Sequence, residues 1–343
     1  MVAIARKTTV LEGVAPERIP FDELLEAGQP AVLKGVARHW PLVRHGLESA
    51  GRAMDYIRSF AGEKPVLAYL GPPQINGRFF YNADFTGLNF STERAPLGTI
   101  LDRIGAQGAQ VAAASIYVGS TDLDSYLPGM RAENDLKLDH GMFERNPPVV
   151  SIWLGNRTVA SAHYDQYNNI ACCMVGKRRF SLFPPDQIRN LYPGPLEPTP
   201  GGQVVSMVDF SAPDFERYPG FHAALAAGQV AELDPGDVLF YPALWWHHVE
   251  ALESFNAMIN YWWTTAPDFL DSPQATLLHA LMSLRDRSEP EKQAWRALFD
   301  YYIFGAADGA GRHLPEQVRG NLGPMDAGKT RRLRSQVLRL LNR

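Results

Sequence analysis

The chain has 343 residues, 45% hydrophobic and 20% charged, with a formal net charge of −4 at pH 7, a globular composition with material for one large core or two smaller ones. That charge balance calls for no polyanionic partner, so nucleic acid is not an expected ligand. The only cysteines, Cys172 and Cys173, are adjacent and cannot build a disulfide framework. No apolar run approaches the roughly 20 residues of a membrane helix, and the first ten residues carry no apolar signal segment. A cytoplasmic protein outside the membrane is expected.

Up to about residue 110 short apolar runs alternate with turns: 31–33 reads as a strand, 54–60 as a helix and 66–70 as a strand. From 111 to 267 short β-type runs dominate, at 149–154, 169–175, 178–183, 238–241 and 256–263, punctuated by Gly and Pro. Many short strands without intervening helices predict an antiparallel barrel or jelly roll. From Ser272 the period turns helical. Leu277, Leu278, Leu281 and Met282 make one apolar stripe, and Ala294, Trp295, Leu298, Phe299, Tyr302 and Ile303 a second, opened by a Ser288–Glu291 capping box. Each stripe needs a cover, either the barrel or a second copy of the chain. The last helix is basic (Lys329, Arg331, Arg332, Arg334, Arg339, Arg343) and amphipathic, a pattern that suits nucleic acid, a membrane surface or an acidic partner; the plainer reading is that the helix dipole alone favours cations near a C-terminus. The chain thus divides into a region 1–270, with its barrel core at about 111–267, and a helical region 271–343.

His163-Tyr-Asp165 places two metal-binding side chains on one side of an extended strand, because residues i and i+2 share a face. Alone, such a triplet is a weak signal. A second element strengthens it: the turn Asp234-Pro-Gly-Asp237 feeds the run 238–241, and Trp245-Trp-His-His-Val249 then returns histidines toward the barrel mouth. Two imidazoles and one carboxylate form the facial triad that leaves three positions open on non-haem Fe(II), enough for a chelating 2-oxo acid and O₂. Parity separates the neighbours. His247 shares a face with Val249 and Ala251, and His248 with Glu250, so His247 is expected inside and His248 solvated or hydrogen-bonded. His163, Asp165 and His247 are therefore the expected metal ligands and catalytic centre. A buried histidine satisfied by a carbonyl is the structural alternative for either motif alone.

These motifs, together with Phe183-Pro-Pro-Asp-Gln187, Leu191-Tyr-Pro193 and Asp237-Val-Leu239, resemble the JmjC-domain oxygenases of the cupin-8 type, and among them the asparaginyl hydroxylases that act on hypoxia-inducible factor. The resemblance runs from about Tyr117 to Pro267. It is weaker upstream, where 30–37 and His39-Trp-Pro41 look like the family's opening strand. It implies a mainly β fold, a double-stranded β-helix (cupin or jelly-roll barrel) with flanking N-terminal α/β elements and a C-terminal helical region. It further implies Fe(II) as cofactor, 2-oxoglutarate as co-substrate, and hydroxylation of a protein side chain or small molecule with release of succinate and CO₂. Such helical tails build a homodimer in that family, which adds to the argument from the stripes.

The resemblance also points to the strand after Gly176 for the cation that binds the distal carboxylate. The family usually has lysine there; this chain has Arg178. Parity agrees, since Arg178, Phe180 and Leu182 share a face, and an inward arginine among apolar residues needs an anion. The alternative is that residues 177–179 form a solvated cationic turn. Tyr117 matches the family's tyrosine for the same carboxylate. Asn169 and Asn260 match its asparagines near the co-substrate, with Trp262 on the face of Asn260. Where the family often has threonine three residues before the first metal histidine, this chain has Ala160, with Thr158 and Ser161 nearby as candidate contacts. Two rivals stand beside the oxygenase: a non-catalytic cupin-fold binding protein, and a metal-dependent cupin enzyme that uses no 2-oxo acid. Substrate specificity is expected in mouth loops at about 119–147 and 186–230.

Overall fold

The computed structural model describes residues 3–108 and 113–342, in two compact units, Met1–Thr264 and Thr265–Arg343. Arg343 and the expected start of the barrel core near residue 111 lie outside the described residues.

The first unit contains β1 (Thr9–Leu11), β2 (Ala31–Leu33), β3 (Val66–Gly71), β4 (Arg78–Phe79), β5 (Ser91–Ala95), β6 (Ser115–Asp122) and β7 (Val149–Gly155). It continues with β8 (Val159–Tyr164), β9 (Asn168–Val175), β10 (Arg178–Phe183), β11 (Gln229–Leu233), β12 (Val238–Tyr241), β13 (Trp246–Ala251) and β14 (Asn256–Trp263). They form a nine-stranded sheet, β1-β2-β12-β9-β14-β7-β6-β3-β5, and a five-stranded sheet, β11-β10-β13-β8-β4. The β8–β9 connection, like β9–β10, carries the chain from one sheet to the other, as a cupin barrel requires.

Alternation along each strand sorts side chains between the inside of this barrel and its two outer surfaces. On β9, Ile170, Cys172 and Met174 join the outer core, while Ala171 and Cys173 join the cluster between the sheets. The adjacent cysteines therefore face opposite ways, and both are free and buried. On β14, Ala257, Ile259, Tyr261 and Trp263 pack outward, against residues from α1 (Phe21–Ala27), α2 (Pro41–Glu48), α3 (Ala50–Ser59) and α4 (Leu97–Gln107). The helix expected at 54–60 starts earlier because the Ser49 side chain caps it, accepting from the Arg52 N–H at 3.1 Å. Short helices α5 (Leu123–Tyr126) and α6 (Gly141–Arg145) follow in the long β6–β7 connection, and α7 (Phe221–Ala227) covers the outer face of the smaller sheet.

The Pro-Gly turn before β12 is fixed by a buried carboxylate. Asp237 accepts from the Gly35 N–H at 3.0 Å, the Asp234 N–H at 2.9 Å and Lys34 Nζ at 2.7 Å. Gly236 has φ 94°, and a Cβ there would come within 2.7 Å of Arg38 Cα, so the turn admits only glycine.

In the second unit, α8 (Pro273–Ser283) is capped by Ser272, α9 (Glu289–Phe299) carries the expected Ser288–Glu291 capping box, and α10 (Ala327–Leu341) is capped by Asp326. The aromatic stripe does not stay α-helical to its end: Asp300–Phe304 form a π-helical turn, which rotates Ile303 away from the 3.6-residue register that the pattern implies. Leu277, Leu278, Met282, Trp295, Tyr302, Ile303 and Phe304 are all exposed.

Candidate metal centre and co-substrate cavity

β8 and β13 run antiparallel with His163 directly opposite His247. The two rings lie 4.2 Å apart between centroids, and His247 Nε2 is 3.5 Å from Asp165 Oδ2. One potential ligand atom from each of His163, Asp165 and His247 falls within 4.8 Å of the others, and among the described residues this is the metal-type cluster of His, Cys, Asp and Glu. Backbone carbonyls set both imidazoles. His163 Nδ1 donates to the Ser161 carbonyl at 2.8 Å and His247 Nδ1 to the Trp245 carbonyl at 3.0 Å, which leaves each Nε2 with its lone pair toward the cluster. Burial, with His247 alongside, pushes His163 down to about 4. Burial alone would raise the Asp165 carboxyl, but contact with His247 and the nearness of both imidazoles outweigh it and leave Asp165 below the usual carboxylate range. A neutral imidazole and an ionised carboxylate are the ligating forms.

A bulge decides what else faces inward. Between His247 and Val249 β13 advances by two residues, while opposite them β8 advances by three, from His163 to Ala160. Ala160 and His163 therefore share the inner face, and the pair Ser161–Ala162 takes up the slack. The Ala162 carbonyl accepts from the Ser206 N–H at 2.7 Å, and Ser161 Oγ accepts from Arg78 Nε at 3.3 Å. Strict alternation would have put the Ser161 hydroxyl beside His163; the bulge hands it to Arg78.

His248 corrects a second expectation. It is on the outer face, but it is neither solvated nor hydrogen-bonded through Nδ1, which is buried without a partner. Its ring stacks on Phe210 at 4.3 Å, beneath a layer that includes Phe221 and Ala224 of α7. Burial, and next the charge of Arg78, push it down to about 3. The outer side of this sheet is a second packed layer, which alternation within one strand cannot reveal.

The chain reaches β13 through a strained loop. Leu244 has φ 66° and donates its N–H to the Asp165 carbonyl at 2.7 Å, and the Ala243 N–H donates to Asn168 Oδ1 at 3.1 Å. The backbone that carries Asp165 is thus tied to the loop that delivers His247.

The triad opens into a cavity of about 330 Å³, within the range of small-molecule sites. His163, Asp165, His247, Tyr117, Thr158, Ser161, Asn169, Arg178, Asn260 and Trp262 all border it. So do Tyr69, Phe79, Trp153, Gln203, Tyr241 and Met258, which the sequence reading did not select. Tyr241 was within reach of parity, since it shares an inward face with Leu239. Gln203 comes from a loop that bridges to β8 through Val205 and His163, and no local pattern announces that.

Arg178 is 3% exposed, and its Nε has no hydrogen-bond partner. Among the described residues no carboxylate forms an ion pair with it, whereas Lys177 is exposed and pairs with Asp234. The solvated-turn alternative fails for Arg178. Leu182 lies opposite His247 and Arg178 opposite Ala251, so Arg178 starts about 13 Å along the strand from the level of the triad. Tyr117 lies near it; burial pushes the phenol up and the Arg178 charge acts against that rise. Asn169 Nδ2 and Trp262 Nε1 are likewise buried without partners. Among the described residues, these three unmatched groups in the wall are all donors. Their natural complement is an acceptor-rich ligand, and the two-imidazole, one-carboxylate set suits Fe(II); a short diacid chelated at the metal fits both.

Residues 16–269 match the cupin-like domain family, and 247 residues are 27% identical to Jumonji C domain-containing protein 5 of Drosophila melanogaster. The chain is a JmjC-type cupin-like protein. The fly alignment covers 69% of this cupin-like protein and 55% of its relative. The protein is also similar to lysine-specific demethylase 8 of Xenopus tropicalis, 26% identical over 71% of this chain and 50% of that one. To the human bifunctional peptidase and (3S)-lysyl hydroxylase JMJD7 it is 26% identical, over 68% of this chain and 77% of that one. The cupin-like protein thus spans about half the length of the first two.

Proposed function

We propose that this cupin-like protein is an Fe(II)- and 2-oxoglutarate-dependent oxygenase that hydroxylates a protein side chain or a small molecule, releasing succinate and CO₂. The observation that carries this reading is Arg178: a buried guanidinium with no ion-pair partner among the described residues, in the same cavity as a His-Asp-His triad. An arginine is kept in such a place for an anion. His163, Asp165 and His247 would hold the iron, and Arg178 and Tyr117 the distal carboxylate, with Asn169, Asn260, Thr158 and Trp262 around the rest. When bound, iron and the oxo acid supply the oxidation, one oxygen atom of O₂ going to the substrate and the other to succinate. The chain's own contribution is placement and dryness. Backbone carbonyls orient the imidazoles, Tyr241 packs on His247 at 4.7 Å, and Phe180, Val249 and Met258 line an apolar floor that excludes water. Two of the similar proteins, named a lysyl hydroxylase and a lysine-specific demethylase, favour a protein side chain over a small molecule.

Metal analysis followed by a succinate-release assay tests the proposal. Bound iron with succinate formed from 2-oxoglutarate is the expected result. Iron without succinate points to a metal-dependent cupin that uses no oxo acid, and neither points to a binding protein.

The exposed apolar faces of α8 and α9 support a homodimer formed through the second unit. Sedimentation at micromolar concentration should give twice the chain mass, and a chain ending near Leu270 should give a monomer; a monomeric intact chain removes the idea. We place the protein in the cytoplasm, in keeping with two free cysteines on opposite faces of one strand. Among the described residues no helix is long and apolar enough to cross a membrane.

A further inference from the structure

A three-residue relay of hydrogen bonds crosses the cavity wall, and its direction is fixed at one end. The indole of Trp153, on β7, can only donate, so the Asn260 atom 2.6 Å from its Nε1 is the amide oxygen. That orientation turns the amide nitrogen of Asn260 toward Asn169, where it donates to Oδ1 at 3.4 Å. The oxygen of Asn169 is thereby taken up, and its nitrogen is the buried donor left unmatched at the cavity wall. Reversing the Asn260 amide would set N–H against N–H at Trp153, and reversing both amides would offer the cavity an oxygen instead of a donor. Neither asparagine can fix its own polarity, because the two ends of an amide have the same shape.

We propose that Trp153 is a positioning residue that sets the polarity of the Asn260–Asn169 pair, so that Asn169 presents an N–H to a carboxylate oxygen of the diacid co-substrate. Trp153 borders the cavity, its ring 6.0 Å from Tyr117 and 5.8 Å from Trp262, so it also shapes the wall. The two roles separate experimentally. Phenylalanine retains most of the ring packing and loses the N–H.

The inference rests on the 2-oxoglutarate reading above, and the test distinguishes the two. The measurement is 2-oxoglutarate affinity of the full chain by titration calorimetry with Mn(II) in the metal site, so that no turnover intervenes. Trp153→Phe should weaken 2-oxoglutarate about tenfold, the scale of one hydrogen bond to a charged group, and leave Mn(II) affinity without the oxo acid unchanged. In an Asn169→Ala background the same change should cost nothing further, since the amide that it orients is gone. Equal losses in both backgrounds would assign Trp153 to packing alone and overturn the proposal, as would parental affinity in Trp153→Phe. If Trp153→Phe does not fold, Trp153→His, with a ring N–H still available to Asn260, takes its place. It should bind within a few-fold of the parent, and a tenfold loss there overturns the proposal. A parent that binds no 2-oxoglutarate sinks the functional reading, and this inference with it.

Discussion

The inner and outer faces of the five-stranded sheet use the same residue types for opposite things. On β13, His247 faces in and completes a polar cluster, while its neighbour His248 faces out and stacks on Phe210. On β10, Arg178 faces in without an ion pair, while Arg179 stands on the other face, opposite Glu250 of β13 and Glu232 of β11. Inside, Arg178 Nε and Asn169 Nδ2 border a cavity without hydrogen-bond partners among the described residues; outside, His248 is fitted into packing. Burial by itself therefore says little about function here. What separates the faces is what each group meets: a cavity on the inside, and a packed layer that includes Phe210, Phe221 and Ala224 on the outside.

The histidine pair should give the largest contrast. His247→Ala should reduce iron from stoichiometric to near zero by elemental analysis. His248→Ala should retain most of the iron and instead lower stability by about 2–4 kcal/mol, as for other large buried rings, read from denaturant unfolding. Iron lost from the second variant and kept in the first would reverse the two faces.

The arginine pair comes next. Arg178→Ala should weaken 2-oxoglutarate by roughly one to two decades, the equivalent of about 1.5–3 kcal/mol, with metal content intact. Arg179→Ala should leave that affinity within about twofold. Arg178→Lys should recover only part, because a monodentate ammonium would still face Ala160 in place of a hydroxyl. Titration calorimetry with Mn(II) reads all three, and a loss confined to Arg179→Ala would shift the register of β10 by one.

Ser161 sharpens the comparison at its smallest scale. Ser161→Ala removes the acceptor for Arg78 and should lower stability by about 0.5–1.5 kcal/mol without altering 2-oxoglutarate affinity. A tenfold affinity loss would show that its hydroxyl serves the cavity after all.

Much of this was readable from the sequence because strands encode sidedness in a period of two. That rule alone separates His247 from His248, Arg178 from Arg179 and Cys172 from Cys173. It breaks where the ladder does. The bulge opposite His247–Val249 puts Ala160 beside His163 and sends Ser161 to Arg78, and no local composition marks it. Nor could alternation show that His248 has a packed layer above it, because that layer comes from residues 208–224, distant in sequence. The helical stripes of α8 and α9 were equally plain as periodicity. What covers them is a matter of complementary surfaces, which one chain's pattern does not carry.

Leu244 holds one more consequence. A leucine in the left-handed region gives up about 1–2 kcal/mol relative to an ordinary conformation, and it does so in the loop bonded to the Asp165 backbone and leading to His247. Glycine would sit there without strain, and Leu244→Gly would relax the fold locally, yet the relaxed loop would sample more conformers and hold Asp165 and His247 less firmly. The rigidity of the centre and the tension in its backbone are then one property. Efforts to make this protein more heat-resistant should leave position 244 alone.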